Sequence, residues 1–104
     1  DHSRKLEEIL DRLRKHVKRL LEHLRELLSL VKENPEDKDL VEVLELSLAI
    51  LRRSLEAVEA FLKSVTKKDP DDEDLRRKAD EIRKEVEEIK KSLAEVEKEI
   101  YKLK

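Results

Sequence analysis

At 104 residues the chain is long enough for one continuous core and too short for two. Half of it is Asp, Glu, Lys or Arg and 38% is apolar, yet the formal net charge is only −2 with the signs interleaved, so neither a basic field for nucleic acid nor an acidic tail is expected. With one Tyr, one Phe, no Cys and no uninterrupted apolar run of membrane-spanning length, base stacking, disulfides, thiolate metal sites and transmembrane helices drop out.

Two proline-centred breaks, Asn34-Pro35-Glu36-Asp37 and Asp69-Pro70-Asp71-Asp72-Glu73, divide the chain. Proline is tolerated at the first helical position and disfavours helix at the residue before it. Asn34 and Asp69 are therefore expected to cap, and helices are predicted over about residues 3–33, 36–67 and 71–103. Each would be roughly 45–50 Å long at 1.5 Å per residue. All belong to a single domain, 1–104.

The first predicted helix carries Leu6, Leu10, Leu13, Val17, Leu20, Leu24, Leu27 and Val31, in alternating steps of four and three. The second repeats that rhythm through Val41, Leu44, Leu48, Leu51, Leu55, Val58, Leu62 and Val65. The third continues it through Leu75, Ala79, Ile82, Val86, Ile89, Leu93, Val96, Ile100 and Leu103. Such seams, the a and d positions of a heptad, predict an all-α, up-down-up antiparallel three-helix bundle with left-handed coiled-coil packing.

The flanking positions test the register. Where the first two helices meet through their g positions, Leu30 falls opposite Leu40, His23 opposite Ser47, His16 opposite Ser54 and Ile9 opposite Phe61. Between the first and third helices, Glu7 is expected to meet Lys78, Arg14 to meet Glu85 and Leu21 to meet Ser92.

Gly, Met, Trp, Cys and Gln are absent, while Asn34 and Thr66 are the only residues of their kinds. Strong helix formers fill the remainder. In this the chain resembles the de novo designed helical bundles, a resemblance of style that covers its whole length and implies no natural family. A second resemblance is local: Leu75-Arg76-Arg77-Lys78-Ala79-Asp80-Glu81-Ile82 is similar to the core of the BH3 death motif, which would imply docking into a Bcl-2-type groove. It departs from that motif at Lys78, where an apolar anchor belongs, and at Asp71, and its apolar residues already serve the third seam.

His16 and His23 are the polar residues closest to suggesting chemistry. They stand seven apart, two helical turns, whereas a shared metal favours spacings of three or four and a third ligand. Neither has a carboxylate to orient it for nucleophilic catalysis, and no glycine loop offers an oxyanion pocket. No enzyme, metal, cofactor or small-molecule substrate is therefore expected. The preferred reading is a half-buried hydrogen bond from His16 to Ser54 and from His23 to Ser47, fixing the register of two helices.

The anomaly is the second helix. Outside its seam, Val43, Leu46, Ile50, Arg53, Ala57, Ala60 and Ser64 make a second three–four stripe on the c and f positions, which ought to face water. The large residues lie toward the first loop and the small ones toward the far end. The c position adjoins g, so the stripe borders Leu30, His23 and Ser47. An apolar stripe of this kind marks an interaction surface. The expected function is a protein–protein interaction module whose partner is another helix-bearing protein or a second copy of the chain. A monomeric scaffold with no binding function is the alternative. No targeting signal is read in the sequence, and a soluble chain suited to cytoplasmic recombinant expression is expected.

Overall fold

The computed structural model describes residues 2–104. Three helices follow in chain order, α1 (His2–Glu33), α2 (Lys38–Lys68) and α3 (Glu73–Leu103), and no strand forms among the described residues. The Cα trace measures 54 × 19 × 15 Å, a rod one helix long. No helix among the described residues is long and apolar enough to cross a membrane.

Both connections use the same device. In Asn34–Asp37 and Asp69–Asp72 the fourth amide donates to the first carbonyl, at 3.1 and 3.3 Å. Each is a β-turn with proline second, where its fixed φ fits. The helix starts only after the turn. Asp37 accepts from the amides of Asp39 and Leu40, and Asp72 accepts from the amide of Leu75. The expected starts near 36 and 71 are thus two residues early, because the aspartate that ends each turn meets the free amides and the residue before proline does not. Asn34 instead closes α1, its side-chain amide donating to the Leu30 carbonyl at 3.0 Å. No described residue takes a positive φ, so the turns do without the left-handed glycine common after helices.

Polar contacts between helices fix their directions. From α1 to α3, Asp11 meets Lys78 (3.2 Å), Lys18 meets Glu85 (3.3 Å), Arg25 donates to Ser92 (3.0 Å) and Lys32 meets Glu99 (2.7 Å). The numbers rise together, so α1 and α3 are parallel. From α2 to α3, Glu45 meets Lys104 (3.1 Å), Arg52 meets Glu97 (2.5 Å), Glu59 meets Lys90 (2.6 Å) and Thr66 accepts from Arg83 (3.2 Å). Here one series rises as the other falls, so α2 runs against both. Each ladder advances one heptad per rung. The expected Arg14–Glu85 pair forms at 3.4 Å. The expected Glu7–Lys78 pair does not: Lys78 lies one turn on, beside Asp11. Ser92 is met by Arg25, because Leu21 is buried.

One hydrophobic core runs the length of the rod. Leu24, Leu51 and Ile89 are all buried, and so is every a and d residue of α2 from Leu44 to Val65 and of α3 from Leu75 to Ile100. Helix α1 departs from expectation. Its a residues Leu10, Val17, Leu24 and Val31 are buried, but the d residues Leu6, Leu13, Leu20 and Leu27 are only half-buried. Leu21 and Leu28, at e, are buried instead. The Leu20-Leu21 and Leu27-Leu28 pairs widen the apolar arc of α1 to a, d and e. Packing against α3 selects the a/e side of that arc, which leaves the d leucines at the edge of the core.

Candidate interaction surface between α1 and α2

The seam between α1 and α2 differs from the other two. Among the described residues no ion pair joins these helices. Where the other seams carry charged rungs, the g positions that border this one are Ile9, His16, His23 and Leu30 on α1 and Phe61, Ser54, Ser47 and Leu40 on α2. Eight apolar residues are half-buried against the core; four of them, Leu6, Leu13, Leu20 and Leu27, are the d residues of α1, and Leu40 and Phe61 are g residues of α2.

The stripe on α2 is exposed as its spacing predicts. Val43, Leu46 and Ile50 are 45%, 59% and 56% accessible, and Leu30 across the groove is 42% accessible. Arg53, Ala57 and Ala60 are exposed as well. Among the described residues only two other large apolar side chains are exposed: Ile9, at a g position of α1 that borders α2, and Tyr101, near the C-terminus. Ala60 also borders the α2–α3 side, in a depression with Glu59, Lys63, Arg83, Val86 and Glu87. The stripe therefore has two shoulders, one open to α1 and one walled by charge.

A cleft of about 230 Å³ lies in the α1–α2 groove, lined by Leu13, His16 and Val17 from α1 and by Ser54, Ala57, Val58 and Phe61 from α2. The structure thus brings His16 and Ser54 to one cleft, as their register requires. It does not join them. Both histidines are exposed, both serines are half-buried, and no hydrogen bond links His16 to Ser54 or His23 to Ser47. No polar residue is buried among those described. The expected buried polar pairs are corrected on this point. With α1 turned toward α3, its g positions are carried out to the rim of the groove, and both imidazoles stand open there.

No group of His, Asp and Glu among the described residues is arranged to hold a metal ion. Leu75, Ala79 and Ile82, the apolar residues of the BH3-like string, are buried in the core and cannot also enter an external groove. Sequence reasoning missed that the four d leucines of α1 are only half-buried and that Leu13 among them lines the cleft. The adjacent e leucines, Leu21 and Leu28, were the available signal, since an apolar arc that wide has one edge to spare. Compared with protein-family models, with curated proteins and with solved structures, the chain finds no match.

Proposed function

We propose that this chain is an interaction module that presents the outer stripe of α2 and the adjoining edge of α1 to another helix. One observation carries the reading: of the six exposed large apolar side chains among the described residues, Val43, Leu46 and Ile50 make one stripe on α2, and Ile9 and Leu30 lie on α1 at the g positions that border α2. Contiguous exposed apolar surface rimmed by polar residues marks binding sites in soluble proteins. The ion-pair ladders argue the same way, because they finish the two seams of α3 and leave this one unfinished. The partner is another helix-bearing protein or a second copy of the chain. Catalysis has no part in this reading, since His16 and His23 sit exposed on one helix face with no carboxylate or metal cluster gathered beside them among the described residues. The glycine-free, strongly helix-forming composition supports membership in the designed-bundle class, and the heptad spacing supports a left-handed supercoil.

The test is the variant Leu46→Glu, Ile50→Lys. Light scattering across a concentration range, together with a binding assay against any helical partner, should show association by the parent and none by the variant, with both melting alike. A parent that stays monomeric and binds nothing would favour the scaffold alternative. That alternative draws support from the completeness of the core without any partner.

A further inference from the structure

The α1–α2 groove has a chemical pattern along its length as well as an apolar one. Its ends are apolar: the antiparallel register sets Leu30 against Leu40 at the first loop and Ile9 against Phe61 at the other end. Its middle holds two polar layers one heptad apart, His23 with Ser47 and His16 with Ser54. Neither layer is closed by a hydrogen bond within the chain, although His16 and Ser54 line the same cleft. Half-buried Leu13, at d, lines that cleft beside His16. The rim is polarised. At the c positions of α1, next to the histidines, Lys5, Arg12 and Arg19 give way to Glu26 and Glu33, all exposed.

We propose that this groove seats a single amphipathic helix of a different chain, whose apolar seam is interrupted by two hydrogen-bonding side chains one heptad apart, acidic along its flank at the Lys5–Arg19 end and basic at the Glu26–Glu33 end. The inference rests on the proposed function and names the partner. Helix α3 shows what such an occupant looks like. It fills the opposite side of the α1–α2 pair with an apolar a/d seam and charged flanks that match α1 and α2 rung by rung. A helix is most stable with acids near its N-terminus and bases near its C-terminus. The rim therefore orients the occupant parallel to α1.

A second copy of this chain fits poorly. The one outer apolar stripe it offers, on α2, has its polar residues at Arg53 and Ser64, eleven apart, and cannot meet layers seven apart. Inserting it would leave one His–Ser layer against apolar side chains and set Arg53 in a desolvated groove, both unfavourable. The outer face of α3 is charged, with Lys84, Lys91, Glu81 and Glu88, and has no seam to offer.

The probe is a synthetic peptide of about 28 residues, matched to the groove at 1.5 Å per residue and stapled on its outer face to hold it helical. It carries Leu and Ile along its seam, Asn at two seam positions seven apart, Glu in its N-terminal flank and Lys in its C-terminal flank. A second peptide is identical except that one Asn is moved by four residues. Calorimetry on the full chain should give one-to-one binding of the first peptide, at least tenfold tighter than the second. Against the His16→Leu, His23→Leu variant, whose fold is checked by its melting curve, that preference should vanish while the apolar contribution keeps both peptides bound. Equal affinity of the parent for the two peptides overturns the proposal, because the polar layers then specify nothing. A parent that refuses both peptides but dimerises through Leu46 and Ile50 also overturns it, while the interaction reading stands. If it refuses both and stays monomeric, the two readings fall together.

Discussion

Lys90 of α3 holds its ammonium 2.6 Å from the carboxylate of Glu59 on α2 and forms the third rung of the α2–α3 ladder. Its hydrogen bond to Glu59 raises its pKa above the ordinary 10.5. A group whose folded pKa is raised stabilises fully below its unfolded pKa and loses that contribution as pH climbs through the folded one. Both partners are more than a third exposed, so the pair is screened and worth only ~0.2–1 kcal/mol. Thermal melts of Glu59→Gln should therefore match the parent more closely at pH ~11.5 than at pH ~9. A difference that grows with pH in this range would contradict the assigned pairing.

Asp72 works in the opposite direction. The hydroxyl of Ser3 donates to its carboxylate, tying the start of α1 to the start of α3, and the amide of Leu75 donates to it as a cap. Together these lower its pKa below 3.8, the Ser3 bond contributing most. Its contribution is thus present above the unfolded pKa and fades as pH falls through the folded one. Denaturant unfolding should place Ser3→Ala furthest below the parent near neutrality, with the gap narrowing as pH falls through the range where Asp72 protonates; a gap that widens in acid would contradict the pairing.

Asp37 caps α2 through two amides, those of Asp39 and Leu40, at 3.1 Å each. Its loss exposes helix-end donors to water without replacement. Asp37→Ala should cost ~1 kcal/mol in denaturant unfolding. Asn34→Ala, which removes only an exposed side-chain bond to the Leu30 carbonyl, should cost less. The reverse ranking would restore Asn34 as the cap that the sequence alone suggests.

Leu51 and Leu46 lie five residues apart on α2 and differ completely in burial, 0% against 59%. Leu51→Ala removes packed methyl groups from mid-core and should cost ~2–5 kcal/mol. Leu46→Ala should stay within about ±0.5 kcal/mol in the isolated chain. Because one core joins all three helices, native-state hydrogen exchange should show their central amides opening in a single event. Helix α3 opening ahead of the others would point to two separate packing units.

The sequence by itself determined the three helices, their seams and the exposure of Val43, Leu46 and Ile50, because these follow from local periodicity and from where proline stops a helix. It also determined Arg14 against Glu85, since a heptad read on two parallel helices fixes which heights meet. Three features were decided by the tertiary structure alone. The cap moved from the residue before each proline to the aspartate after it, because the turn closes first and leaves that aspartate facing the free amides. Lys78 took Asp11 in place of Glu7, and Leu21 and Leu28 displaced the d leucines of α1 from the core. Both changes come from one rotation of α1 about its axis. An apolar arc spanning a, d and e has two edges of similar hydrophobicity, and only packing against α3 chooses between them. That rotation carried His16 and His23 to the rim beyond bonding with Ser54 and Ser47, and it opened the α1–α2 groove.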